Sequence, residues 1–399
     1  MTFSPTESLV LAWLEAHAAE MVTLLERLVN VDSGSRDVAG VDEVGDILRR
    51  FLDDATVTIE VIPGQRSGYA LRATVPGAGG RNEPGHVLLM GHRDTVFPHG
   101  EAARRPFRVE DGKAYGPGVA DMKAGLVLNA FVQAALQSQG GAPLPVVGLY
   151  TADEEIASPE GRAVIEATAE GARAVFNAEP GRPGGGVVTQ RNGALFCDVE
   201  ITGVAAHSGA NHAKGRSAID VLARKVRALH ALTDYEAGIT VNVGTVSGGE
   251  AVNTVAPQAE FGFDVRFPTK ADFARIEPTV MGILQTTEID GTTTRLVTKR
   301  LFMPVEAEPE NDALYDHYAR AASALELMVE PAFSGGSADS GFTSALGVPT
   351  LCGTGPIGEH AHTPNEVCHL DTLLPRAKTL ALAVLRLPSG DAGPTGQPG

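Results

Sequence analysis

The chain has 399 residues, 43% hydrophobic and 20% charged, and a formal net charge of −17. That length exceeds one ordinary core and favours two domains, and the excess of acid argues against nucleic acid or an anionic membrane as partner, since both need a basic footprint. No run reaches the roughly 18 apolar residues of a membrane span, and three scattered cysteines, Cys197, Cys352 and Cys368, without a CxxC pair suit a reducing, cytoplasmic setting.

The first 29 residues carry acids at helical spacing and read as one amphipathic helix, not a signal peptide. From residue 86 a rhythm sets in: "HVLLMGH" (86–92) as strand, "MKAGLVLNAFVQAALQS" (122–138) as helix, "PVVGLYTADEE" (145–155) as strand. "GRAVIEATAE" then reads as helix and "ARAVFNAEP" (172–180) as strand. The alternation predicts an α/β fold with a largely parallel sheet covered by helices, whose sites lie beyond the carboxyl ends of the strands. Three of these runs end in polar clusters: His92 with Asp94, Asp153 to Glu155, and Glu179.

The pattern changes after the Gly-rich "GRPGGGVVTQRNG" (181–193). Alternating strands such as "ALFCDVEITG" and "AEFGFDVRF" flank the helix "SAIDVLARKVRALHAL", which predicts a smaller α+β domain over residues 193–302, inserted into the larger one. The first domain would occupy 1–192 and resume over 303–390. The Gly/Pro-rich end, 391–399, is expected to be disordered.

Candidate ligands fall in five segments: His92, Asp121 in "GPGVADMKAG", Glu155 in "TADEE", Glu179 in "NAEP" and His362 in "HAHTPNE". Two imidazoles and three carboxylates suit zinc, with manganese or cobalt as competitors. Five ligands exceed one tetrahedral ion. If Asp121 spreads its oxygens over two ions, each metal gains one histidine, one private carboxylate and a share of Asp121, the arrangement of a co-catalytic pair. Two divalent cations, three carboxylates and a hydroxide leave such a centre nearly neutral. His360 competes with His362, two residues away and on the same side of an extended segment.

"MGHRDTV", "GPGVADMKAG", "DEE", "NAEP", "AAHSG" and "HTPNE" resemble, in order and spacing, the M20 family of di-zinc peptidases and deacylases, and within it the glutamate carboxypeptidases. The resemblance runs from about residue 20 to 390. It implies a catalytic domain with a mixed sheet flanked by helices, interrupted by a lid or dimerisation domain, and a homodimer formed through that insert. It also implies two Zn2+ ions held by His92, Asp121, Glu155, Glu179 and His362, with Asp121 bridging. Glu154 becomes the general base, Asp94 the acceptor that orients His92, and His207 a donor to the scissile carbonyl oxygen, in its own chain or across a dimer. Arg266 and Asn253, helped by backbone N–H groups around Gly335 and Gly336, match positions that hold a substrate carboxylate.

The expected activity is hydrolysis of an amide next to a free carboxylate, releasing a C-terminal amino acid from a small peptide or an N-acyl amino acid. Glutamate is one candidate product, although the glutamate-specific members carry a lysine after "NAEP" that 181–193 lacks. The alternatives are a deacylase of the acetylornithine or succinyl-diaminopimelate type, a catalytically silent metal-binding protein, and a nucleotide-using α/β protein. The last lacks any phosphate-binding loop.

Overall fold

The structure is a computed structural model and describes residues 3–78 and 85–388, so the expected disordered tail at 391–399 lies outside it. The chain divides into two compact units, one of Met1–Gln190, Ala307–Phe333 and Phe342–Gly399, the other of Arg191–Glu306 and Ser334–Gly341. The short segment Ser334–Gly341, which the sequence pattern left with the larger domain, belongs to the smaller unit.

The larger unit is built on an eight-stranded sheet. Its order is Thr58–Ile62, Ala70–Val75, Val146–Thr151, His86–His92, Ala172–Asn177, Thr350–Cys352, Val187–Arg191 and Pro331–Ser334. The four middle strands, from Val146–Thr151 to Thr350–Cys352, run parallel. Antiparallel neighbours flank them, at Ala70–Val75 on one side and Val187–Arg191 on the other. The sheet is therefore mixed, parallel only at its centre. Val87, Leu88, Leu89 and Met90 are all buried, as expected of a strand covered on both faces.

Helix Ala124–Ser138 packs on this sheet and beneath the terminal helices Pro5–Ala16 and Leu373–Leu385. The stretch Val119–Ser138 is long and apolar enough by composition to cross a membrane, but 94% of its 18-residue apolar window is buried inside the protein, which makes it part of the core. Glycines let this helix approach the sheet. A Cβ at Gly125 would lie 1.9 Å from the Ala178 carbonyl oxygen, and one at Gly91 would lie 2.5 Å from Met122 Cε. The expected single N-terminal helix is instead two, Pro5–Ala16 and Ala18–Val29, bent by 55°. At the bend His17 donates from Nδ1 to the Trp13 carbonyl (2.7 Å) and stacks on its ring (3.8 Å between centroids), ending the first helix early.

The smaller unit is an antiparallel sheet in the order Thr240–Gly248, Gln258–Phe267, Gly193–Thr202 and Thr293–Phe302, with helices Ala218–His230 and Lys270–Gln285 packed on it. Its chain order, β-α-β-β-α-β, is that of a split βαβ motif. Leu195, Cys197, Val199 and Ile201 alternate into its core. Lys225 is fully buried there. Its Nζ donates to the carbonyls of Ile283 (2.7 Å), Leu284 (3.1 Å) and Thr286 (2.8 Å) and pairs with Glu288 (3.0 Å), satisfying the C-terminal end of the second helix. Lys225→Met strands those acceptors and the Glu288 charge. It should lower stability by about 3 kcal/mol in urea denaturation followed by circular dichroism; an unchanged midpoint would show that the cap contributes nothing.

Candidate metal centre

His92 closes its strand, and its imidazole is buried at 2% exposure. Its Nδ1 lies 3.0 Å from the Asp94 carbonyl oxygen and 3.3 Å from Asp94 Oδ1, so the backbone oxygen of Asp94 is the nearer acceptor and its carboxylate the second. Either fixes the tautomer that leaves Nε2 free to bind. Arg93, between them, points away and is buried, donating to the carbonyls of Thr151, Val41 and Tyr69.

Asp94 does more than orient His92. Its carboxylate accepts from the backbone N–H of Glu154 (3.0 Å) and Glu155 (3.1 Å) and from Ser35 Oγ (2.7 Å), pinning the turn Glu154–Ile156 that follows strand Val146–Thr151. Asp121 sits in an irregular turn, Val119–Lys123, where it and Met122 have non-helical dihedrals. The following helix therefore starts at Ala124, two residues later than the sequence pattern indicates.

Five side chains converge in the larger unit. His92, Asp121 and Glu179 form one donor set and Asp121, Glu155 and His362 another, with the donor atoms of each set within 4.8 Å of one another. His92 Nε2 lies 3.3 Å from Asp121 Oδ1 and 3.5 Å from Glu179 Oε1. His362 Nε2 lies 3.2 Å from Asp121 Oδ2 and 3.2 Å from Glu155 Oε2. Each oxygen of Asp121 thus faces a different imidazole. His92 Nε2 and Glu155 Oε1 are buried without a hydrogen-bond partner, as donors aimed at a metal would be, so the set fits two divalent ions. Glu154 Oε2 lies 3.9 Å from His92 Nε2, at the edge of the cluster and in neither set. His360, the rival to His362, also lies outside both sets, although both adopt left-handed backbone, with φ of 59° and 64°.

Glu366, the last residue of "HTPNE", is a member of the site to which the sequence analysis gave no role. Fully buried, it accepts from the backbone N–H of Gly118 (3.1 Å), Ala120 (2.9 Å) and Asp121 (2.9 Å), tying the Asp121 turn to the loop that carries His362. Burial pushes its pKa up to about 7 even though those three amides favour the carboxylate.

The electrostatics are those of competing protons and cations. Burial disfavours charge on His92, yet Glu154, Asp121, Asp94 and Glu179 around it raise its pKa well above the usual value. Hydrogen bonds to Asp121 and Glu155 raise His362 to about 10. Asp121 is held below the usual carboxylate range by both imidazoles against its burial, whereas burial and the neighbouring Asp121 push Glu155 up to about 7.

The remaining predicted residues lie in the smaller unit. His207 is exposed, and its Nδ1 accepts from the N–H of Gly209 (3.1 Å) and Ala210 (3.2 Å), which places the proton on Nε2 as an outward donor. Asn253 adjoins it, its carbonyl accepting from Ser208 N (3.0 Å). Arg266 is not free: Nε donates to Asp264 (2.9 Å), Nη1 lies 3.4 Å from Ser337 Oγ, and the guanidinium rests over the Phe196 ring. Of the backbone N–H groups expected around Gly335 and Gly336, that of Gly336 donates to Ser334 Oγ (3.2 Å).

Comparison with known proteins gives the class. The profile of peptidase family M20/M25/M40 matches residues 88–386, more than half of the chain, and the chain belongs to that family of hydrolases. One solved member of the family, from Bacillus subtilis, is described as a dinuclear metal-binding peptidase. Carboxypeptidase G2 of Pseudomonas sp. (strain RS-16) is 28% identical over 351 residues, covering 86% of this chain and 83% of that protein. The fold is shared with the M20 family metallo-carboxypeptidase Sso-CP2 from Sulfolobus solfataricus (TM-score 0.73, 17% identity, 92% of this chain and 99% of that one). It is shared also with a tripeptidase from Staphylococcus aureus subsp. aureus Mu50 (TM-score 0.72, 21% identity, 92% and 98%).

Two outcomes are expected. His362, raised to about 10, carries a proton at pH 7, and a metal takes only the neutral ring, so metal uptake should release at least one proton per chain and weaken as pH falls. Calorimetry in buffers of different ionisation enthalpy measures this, and a buffer-independent heat would contradict it. Glu366→Gln puts an amide where three N–H groups converge, and should lower metal affinity about 10- to 100-fold in chelator competition; native affinity would show that the Asp121 turn stands without it.

Proposed function

We propose that the protein is a di-zinc hydrolase that cleaves an amide bond adjacent to a free carboxylate and releases a C-terminal amino acid from a small peptide or N-acyl amino acid. One observation carries the reading: two donor sets share Asp121, and a further acid, Glu154, stands beside them. The similarity to carboxypeptidase G2 supports the choice of bond. Two imidazoles and three carboxylates favour zinc over harder ions. When bound, the ions would supply an acidified water and polarise the amide carbonyl.

In this reading Glu154 takes the proton of the attacking water and returns it to the leaving nitrogen. Its backbone is held on Asp94, so the carboxylate acts from a fixed turn. His207, with its proton on Nε2, donates to the oxygen on which negative charge develops. Arg266 takes the substrate carboxylate through its two Nη groups, since Nε is engaged by Asp264.

Zinc-loaded enzyme should release a free amino acid from a panel of N-acyl amino acids and dipeptides scored by mass spectrometry. Glu154→Gln should keep its metal and fold but lose about 10² to 10⁴ in kcat. Arg266→Ala should penalise free-acid substrates far more than their amides. A fully active Glu154→Gln enzyme, or no released amino acid from any compound, would contradict the reading.

A further inference from the structure

Beside the Glu155 end of the cluster lies a cleft of about 670 Å3 that none of these roles uses. Its lining includes Val96, Phe97 and Ile156, the segment Gly34 to Asp37, and Glu155. Two of these segments are joined by backbone hydrogen bonds. Thr95 N donates to the Ser33 carbonyl (2.8 Å) and Ser35 N to the Thr95 carbonyl (3.2 Å). A Cβ at Gly34 would stand 2.4 Å from the Phe97 carbonyl oxygen, so no larger residue fits there. The cleft is thus preformed, and its volume suits a drug-sized group rather than an acetyl.

The charges around it are unequally committed. Asp37 accepts from His99 Nδ1 (2.8 Å) and caps the following helix through Gly40 N (3.1 Å). Asp32 accepts from the N–H groups of Gly100 and Ala102, both at 2.7 Å. Arg36 is exposed on the cleft wall and, among the described residues, has no ion pair or side-chain hydrogen bond. In the same lining Val96 presents apolar surface to solvent at 44% exposure. The cleft therefore combines an apolar wall with one uncommitted cation of the kind that grips a carboxylate as a fork.

We propose that this cleft seats the acyl half of the substrate and selects an acyl group with an apolar body ending in a carboxylate, the body against Val96, Phe97 and Ile156 and the carboxylate on Arg36. The placement rests on the amide-hydrolase reading: a group in the cleft abuts Glu155, and so the bond being cut. A short acyl group would leave the volume filled with water and Arg36 without its anion.

The test compares N-benzoyl-glutamate with N-(4-carboxybenzoyl)-glutamate by titration calorimetry on the zinc-loaded Glu154→Gln protein, which binds without turnover. The carboxylated compound should bind about tenfold more tightly, a charge-assisted contact's worth. Arg36→Ala in the same background should erase that preference, and Arg36→Lys should restore part of it. Val96→Trp, which fills the cleft, should weaken both compounds. Equal affinities, a preference that survives Arg36→Ala, or no binding of either compound would overturn the assignment. Turnover of the same pair by wild-type enzyme separates this from the parent reading. Arg36-dependent binding together with no released amino acid from any compound of the panel would sink the hydrolase and leave the cleft, whereas release from both compounds without any Arg36 dependence would sink the cleft alone.

Discussion

The carboxylate of Asp121 faces one imidazole with each oxygen, His92 on one side and His362 on the other, at 3.3 and 3.2 Å. Everything else in the larger unit's site is arranged around that sharing. Glu179 completes the His92 side and Glu155 the His362 side, so two three-donor sets arise from five residues. Without the shared residue each side would be a histidine and an acid, too few ligands to hold an ion tightly.

Two other buried carboxylates hold these ligands in place by accepting backbone N–H groups. Asp94 joins the end of the His92 strand to the turn of Glu154 and Glu155, and Glu366 joins the His362 loop to the Asp121 turn. Each bracket ties segments far apart in sequence, which is how loops beyond strand ends acquire fixed geometry. Burial of so many ionisable groups is costly unless their charges are balanced. Protons on the imidazoles supply that balance, and divalent cations competing for the same lone pairs would add stability by mass action.

Much of this was legible in the sequence. Apolar runs ending at His92, Glu155 and Glu179 are visible because a buried strand has no use for such endings, and with Asp121 and His362 they make a set of residue types that suits two metal ions, a set the family motifs then matched. The brackets were less visible. Glu366 has no local pattern that announces three backbone partners 245 to 248 residues away in sequence, and the Ser35 contact to Asp94 spans 59 residues. Nor does periodicity show that Asp121 and Met122 leave the helical region, which delays the helix to Ala124. The antiparallel flanks of the sheet were hidden for a related reason: strand direction depends on connections, whereas apolar alternation reports only which face is buried. At Arg266 the family pattern indicates a guanidinium for a substrate carboxylate, and the structure shows its Nε already donating to Asp264, two residues away.

The central claim is that one carboxylate serves two metal sites, and metal stoichiometry tests it most directly. Elemental analysis of zinc-loaded, gel-filtered protein should give about two ions per chain for the wild type, as in a co-catalytic pair. Asp121→Ala should retain close to none, because each set loses a ligand at once. One tightly held ion in Asp121→Ala would contradict the account, since it would mean that at least one set is complete without the shared oxygen.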